Sequence, residues 1–505
     1  MHLTHPLHRR VQANPDGVFT LYKGRATTNI QMADRAARIA GGLLQLGVKK
    51  DDRVALLDLN TDYFFHASLA LAWADTTIVP VNYRWSVKEI AYSLTEADVE
   101  VILVGDAFLG LIDAIKEAAP GITTVIHIGD LPTPDGAIPL AQLLEAEPVP
   151  DAERSGDSLL GLFYTGGTTG FPKGVMLGHR GVFLSAIGSI AMGAYPHGGN
   201  CLLVAPAFHL AGFANWIMSM LLDQGGVPLA EFNPAEVMRV IQDEHVKSTT
   251  LVPTMIQMVV DHPERELYDL SGLELMVYGA SPISEALLDR ARKAFPSAQF
   301  CQAYGMTELS PCATILVDED HNDPQRRRSA GRPLIYSLCR IAGPDDVELP
   351  RGQVGEIQSR GDHVMLGYWK KPQETAAALR GGWMHTGDGG YMDEQGYVYV
   401  VDRIKDMIIS GGENVYSIEV ENAIAKHPAI VQCAVIGIQD DKWGERVHAI
   451  VQLAEGASLA LEELREFAKG EIAGYKCPQS LEVIDTWPLS AAGKILKREL
   501  RAQRA

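Results

Sequence analysis

Tyr164-Thr-Gly-Gly-Thr-Thr-Gly-Phe-Pro-Lys-Gly-Val175 is the stretch on which the reading of this chain turns. Apolar runs flank it, Leu159–Phe163 before and Val175–Leu177 after. The loop offers bare backbone N–H groups, threonine hydroxyls and one lysine, a set suited to an anion and above all to a polyphosphate. It is not a Walker A loop, which needs Gly-Lys-Ser/Thr opening a helix; here Pro172 precedes Lys173 and a strand-like run follows. A plain glycine-rich hairpin turn is the competing reading, and the composition of the whole run favours phosphate.

Upstream of the loop, helical and strand patterns alternate. Ile30–Leu46 places Met32, Ala36, Ile39, Leu43 and Leu44 near one helical face, with Gly47 as the stop. Arg53–Leu59 reads as a strand, Tyr63–Trp73 as a buried helix, Thr77–Val81 as a strand and Val99–Val104 as another. Ser86 and Glu89 form a capping box for a helix over Val87–Leu94. Downstream the rhythm resumes with strands at Cys201–Pro206, Ser248–Val252 and Leu273–Tyr278 and a helix at Pro234–Glu244. This alternation predicts a mostly parallel sheet covered by helices, and the small or polar residues ending each strand are candidate site positions.

From Leu316 to Val401 glycine and proline become frequent and strands short, as in Gly355–Ser359 and Tyr397–Val401, which predicts a small β-rich subdomain. Beyond Asp402 a compact α+β unit begins: helix Ile418–Lys426, strands Val431–Ile436 and His448–Leu453, helix Leu461–Gly474. The domain boundary is placed at 402/403, near Asp402–Asp406.

Composition bounds the rest. A chain of 505 residues needs more than one domain. A net charge of −19 argues against nucleic acid as a partner. Six scattered cysteines without a C-x-x-C pair suit reduced thiols in a cytoplasmic protein and give no metal framework. Met1–Gly24 has no apolar segment typical of a secretory signal, no run is long and apolar enough to span a membrane, and Arg501–Ala505 carries no targeting address. The oligomeric state stays open, a homodimer among the options.

Further clusters set a polar residue among glycines and aromatics: Phe208-His209-Leu-Ala-Gly212, Tyr278-Gly279-Ala280-Ser281, Tyr304-Gly-Met306-Thr307-Glu308, Trp383-Met-His-Thr386-Gly-Asp388, Asp402-Arg403-Ile-Lys405-Asp406, Ser410-Gly411-Gly412, and Ser490-Ala-Ala-Gly493-Lys494. Singly, each has an ordinary reading. Glu308 is then an acid in a helix's first turn, Asp388 a turn aspartate, and Arg403 a surface ion pair. Tyr304 and His209 are then core residues and Trp443 domain packing. Lys494 becomes a tail lysine on a solvated face, as Lys497 and Arg498 are expected to be.

Together, in this order and spacing, the segments resemble the acyl- and aryl-CoA synthetases of the adenylate-forming superfamily over nearly the whole chain. The resemblance implies an α/β large N-terminal domain, built from two β/α subdomains plus a small β-rich subdomain. A smaller mobile α+β C-terminal domain follows, hinged near Lys405. It implies ATP, Mg²⁺ and coenzyme A, and a small carboxylic acid as substrate. The acid is converted to an acyl-adenylate with release of pyrophosphate, then passed to coenzyme A with release of AMP. By resemblance Thr165, Gly166, Gly167, Thr168, Thr169, Gly170 and Lys173 hold the β- and γ-phosphates. Thr307 meets the α-phosphate and Glu308 is the magnesium ligand. Gly279, Ala280 and Ser281 lie against adenine, Tyr304 stacks on it, Asp388 accepts from the ribose hydroxyls, and Arg403 assists there. Lys494 is the catalytic lysine of adenylation, Lys405 the hinge, and Gly411, Gly412 and Trp443 face coenzyme A. His209, Phe213 and Met306 edge the acyl pocket.

Two features qualify the resemblance. The family's loop usually carries serine where this chain has Gly166, which removes one hydroxyl donor. The Phe208–Met220 stretch holds no lysine or arginine for a second carboxylate and no aspartate for an amine, so a fatty or aromatic acid is expected. The competing functions are loading of a carrier protein and a catalytically weak nucleotide-binding paralogue.

Overall fold

The structure, a computed structural model, describes residues 1–505 apart from 166–171, 194, 282, 404–405, 412, 441, 490–494 and 505. Two large sheets dominate. One has nine strands, in the spatial order Arg332–Pro333, Thr314–Leu316, Gln299–Tyr304, Leu275–Gly279, Val246–Leu251, Asn200–Leu203, Gly225–Pro228, Val18–Tyr22, Arg25–Thr28. The other has eight: Gly367–Tyr368, Lys173–Gly178, Leu159–Thr165, Thr77–Pro80, Arg53–Leu57, Val101–Gly105, Thr124–Ile128, Ile138–Pro139. Pairing is parallel inside both sheets and antiparallel at both edges of the first and at the Gly367–Tyr368 edge of the second, whose other edge, Ile138–Pro139, pairs parallel. Helices Asn29–Gln45, Asp62–Trp73, His179–Met192 and Leu210–Leu221 fill a single core that takes residues from both sheets. Helix Asp62–Trp73 is buried on nearly every side, which fits its apolar run, interrupted inside the helix only by His66 and Ser68.

Local signals act as the sequence predicts. Ser86 closes its expected capping box with Glu89, and the structure adds a second one, Thr28 with Gln31. Leu44 departs from expectation: it is exposed, because the buried stripe of its helix runs through Met32, Ala36, Ile39, Ala40 and Leu43. The strand expected at Cys201–Pro206 stops at Leu203, and the helix expected to reach Gly474 ends at Lys469, where Gly470 caps it.

A third sheet of four strands, Leu338–Ala342, Gly355–Arg360, Met384–Met392 and Val398–Arg403, is the small β-rich unit. The C-terminal unit packs helices Ser417–Ile424 and Leu461–Lys469 on a separate sheet. Its main hairpin, Ile430–Asp440 with Gly444–Leu453, is longer than expected because it pairs along nearly its full length. Lys497 corrects a further expectation. It is not a solvated tail residue: its ammonium donates to Glu421 (2.7 Å) and to Ser417 Oγ (2.6 Å), and its side chain is only 17 % exposed. Burial alone would lower its pKa, and the neighbouring carboxylates of Glu421, Asp402 and Asp406 outweigh it, leaving the pKa raised.

One strand end carries a stability cost. Asp58 follows Arg53–Leu57 and is buried, and burial raises its pKa from 3.8 to about 8 against the hydrogen bonds it accepts from Thr61 and Leu59. A carboxyl whose folded pKa lies above its unfolded one holds its proton more tightly when folded. Its contribution is therefore present below about pH 4 and lost as pH rises towards 8. Asp58→Asn keeps one acceptor oxygen for the Leu59 N–H and turns its amide NH2 towards the Thr61 hydroxyl, which can accept it. Thermal melts should match wild type near pH 4 and exceed it at pH 8–9 by a few kcal/mol, since each tenfold difference in proton affinity between folded and unfolded chain is worth about 1.4 kcal/mol. A difference that does not change with pH would contradict this.

Candidate active site

The opening stretch lies between two antiparallel strands. Strand Leu159–Thr165 returns antiparallel as Lys173–Gly178, with Thr165 opposite Lys173. Helix-opening P-loop geometry is thus excluded. Gly166, Gly167, Thr168, Thr169 and Gly170 lie outside the described residues. The end of the first strand is fixed by Tyr164, whose hydroxyl donates to Glu96 (2.5 Å).

Lys173 points its ammonium over the ring of Tyr368, 5.1 Å from the centroid. The Tyr368 hydroxyl donates in turn to Glu308 Oε1 (2.9 Å). Glu308 sits in a three-residue 3₁₀ turn, Thr307–Leu309, after strand Gln299–Tyr304. So short a turn gives it little helix dipole to answer, which removes the first-turn reading. Glu308 is buried, and burial raises its pKa against the hydrogen bond from Tyr368 and the fields of Arg403 and Lys173. Burial and the neighbouring carboxylate push the Tyr368 phenol up as well, so it remains a donor.

A second network adjoins the first. Asp388, in strand Met384–Met392, accepts from Tyr304 Oη (2.8 Å) and pairs with Arg403 Nε (2.7 Å) across the sheet. Its turn is braced from behind. Thr386 Oγ1 receives the Asp388 N–H (3.1 Å) and donates to the Ile357 carbonyl (2.6 Å), and Glu356 takes the Gly387 N–H (3.0 Å) and binds His385 Nδ1 (2.6 Å). Tyr304 thus has a hydrogen-bonding duty beyond core packing. Gly279 ends strand Leu275–Gly279 directly against the Ala303 carbonyl, too close for any Cβ, and Ala280 follows in the left-handed region at φ 66°. Ser281 is the next residue of that bend.

His209 stacks at a tilt on Phe208 (4.3 Å), which meets Tyr83 edge to face (4.7 Å). Met306 is partly buried against the main core. Phe213 is wholly buried, edge to face with Phe163 of the hairpin (5.3 Å), so it packs behind that strand inside the core. In the C-terminal unit the Gly411 N–H donates to the Trp443 carbonyl (2.8 Å), and Gly411, at φ 64°, lies against the indole. Trp443 is 40 % exposed, with the Lys442 ammonium 4.7 Å from its ring. Lys405, Gly412 and Lys494 lie outside the described residues.

Sequence reasoning missed Tyr368, Glu96 and Glu356. The aromatic pair Tyr368-Trp369 after Gly367 was the available signal for the first. Among the described residues no helix is long and apolar enough to cross a membrane.

Residues 7–369 match the family model described as AMP-binding enzyme, and residues 419–494 match that of the AMP-binding enzyme C-terminal domain. A feruloyl-CoA synthase of an Amycolatopsis species is 36 % identical over 494 residues, covering 98 % of this chain and 97 % of that protein. The medium/long-chain-fatty-acid–CoA ligase FadD8 of Mycobacterium tuberculosis is 34 % identical, covering 94 % and 85 % respectively. Among solved structures, the Bacillus subtilis o-succinylbenzoate CoA synthetase with its acyl-adenylate intermediate superposes at a TM-score of 0.86 with 28 % identity, covering 98 % of this chain and 97 % of that one.

Proposed function

This chain belongs to the AMP-binding enzyme family, and from that premise we propose that it is an AMP-forming carboxylate–CoA ligase. It activates a fatty or aromatic acid with ATP to an acyl-adenylate, releases pyrophosphate, and passes the acyl group to coenzyme A. The observation that carries the reading is a pair of networks, Lys173–Tyr368–Glu308 and Tyr304–Asp388–Arg403, near enough for the charge of Arg403 to act on Glu308.

A carboxylate attacking an α-phosphate brings two anions together, so the site must supply fixed positive charge and aligned donors. Lys173 and residues 165–170 meet the β- and γ-phosphates, with Thr307 at the α-phosphate. Asp388 accepts from the ribose hydroxyls, oriented by Tyr304 and Arg403. Gly279, Ala280 and Ser281 floor the adenine site. Mg²⁺ fits Glu308: a buried, hard carboxylate oxygen beside a phosphate site is the donor that ion takes while keeping waters and phosphate oxygens. When bound, it neutralises charge on the phosphates. Lys494 bridges substrate carboxylate and α-phosphate. The C-terminal domain then turns about Lys405 and brings Gly411, Gly412 and Trp443 to coenzyme A.

The apolar setting of His209 and Met306, backed by Phe213, supports an acid without a second charge, and feruloyl- and fatty-acid ligases among the relatives point the same way. A relative named fatty acid–[acyl-carrier-protein] ligase, 34 % identical, keeps carrier loading as the second reading. Pyrophosphate and AMP release should be followed across a panel of fatty and aromatic acids, with and without coenzyme A. Coenzyme A-dependent AMP release is expected. Adenylate formation that coenzyme A does not discharge favours carrier loading, and no ATP consumption with any acid overturns the proposal.

A further inference from the structure

We propose that Tyr368 is a positioning residue that keeps the Lys173 ammonium and the Glu308 carboxylate apart, each held ready for the nucleotide; the inference rests on the roles proposed above for those two residues. The ring face takes the ammonium at 5.1 Å while the hydroxyl donates to Glu308 Oε1 at 2.9 Å, so one side chain serves a cation and an anion at opposite ends.

The backbone around it is tied to both partners. Gly367 and Tyr368 pair antiparallel with Met176 and Val175, on the strand that Lys173 begins. The Trp369 N–H donates to the Gly174 carbonyl (2.8 Å) and the Met365 N–H to the Glu308 carbonyl (2.8 Å). Thr375 Oγ1 receives the Tyr368 N–H (2.9 Å) and fixes the side chain's origin. The short edge strand therefore joins the hairpin of one sheet to the turn that follows a strand of the other.

A tyrosine suits this place for an electrostatic reason. A buried carboxylate and a nearby ammonium attract strongly where water is scarce. Left to meet, they form an ion pair that offers neither charge to an incoming nucleotide. The ring satisfies the lysine without neutralising it, and the phenol O–H holds the carboxylate by Oε1 alone of its two oxygens.

Tyr368→Phe and Tyr368→Leu separate the two duties. Tyr368→Phe keeps the ring and loses the donor. Its dissociation constant for Mn²⁺, read by electron paramagnetic resonance with α,β-methylene-ATP present, should rise about tenfold, the order expected when a ligand's supporting hydrogen bond is removed. Its KM for ATP in pyrophosphate release should stay near wild type. Tyr368→Leu loses both duties and should raise KM for ATP about tenfold as well. Thermal melts establish that each variant is folded. Unchanged Mn²⁺ binding in Tyr368→Phe, or equal KM values for ATP in the two variants, overturns the inference. Lys173→Ala and Glu308→Gln in the same assays keep the two claims distinct. If they retain ATP-dependent pyrophosphate release, the site reading itself fails. If they lose it while the Tyr368 variants match wild type, only the positioning role fails.

Discussion

Lys494→Ala is expected to lower acyl-adenylate formation on the order of 10²-fold or more, while attack of coenzyme A on a supplied acyl-adenylate survives largely intact. The adenylation transition state places the substrate carboxylate and the α-phosphate in contact, and a cation touching both is worth more there than in either ground state. The residues on either side of this lysine's segment are held. Leu489 and Ile495 pair antiparallel, and the Leu496 N–H donates to the Pro488 carbonyl (2.8 Å). Helix Lys497–Ala502 follows at once and is anchored by Lys497 on Glu421 (2.7 Å) and Arg501 on Asp406 (2.6 Å). A substitution within that segment therefore leaves its anchorage in place. The two half-reactions should be measured separately, by pyrophosphate release without coenzyme A and by AMP release from synthetic acyl-adenylate. Equal loss in both would remove Lys494 from the adenylation step.

What could be read from the sequence was local. The strand that follows the glycine loop, the capping box of Ser86 and Glu89, and the strand end at Gly279 each depend on residues close together in the chain, and the structure has them where the pattern put them. What could not be read depends on partners far apart. Tyr368 occupies a two-residue strand, too short for any periodicity, and acquires its place from Val175 and Glu308. Lys497 looks solvated in Lys-Arg-Glu-Leu-Arg, yet Glu421 and Ser417 draw it inward. The bracing of Asp388 by Glu356 and His385 likewise joins separate strands of the small sheet. Burial of a charged side chain is decided by tertiary neighbours, and single-sequence patterns carry no record of them.

Glu308→Gln is expected to lower adenylation on the order of 10²-fold or more while leaving the fold as stable as wild type or more so. The carboxylate lies in a buried turn, with Tyr368 as a donor and the fields of Lys173 and Arg403 only partly offsetting the burial that raises its pKa. A carboxyl whose folded pKa is raised contributes stability at low pH and loses it as pH climbs through the folded value. At neutral pH the ionised side chain is therefore a liability to the fold. Glutamine occupies nearly the same volume, still accepts from the Tyr368 hydroxyl, and carries no charge to desolvate. The same neutrality removes the anionic oxygen that a hard cation beside the triphosphate requires. Activity and stability should thus move in opposite directions in one variant, which a generally damaging substitution would not do. Pyrophosphate release across a range of Mg²⁺ concentrations, together with thermal melts of the metal-free protein, tests both halves. Wild-type turnover in Glu308→Gln would withdraw the metal role. A lower melting temperature with lost activity would instead make Glu308 a structural residue of the turn.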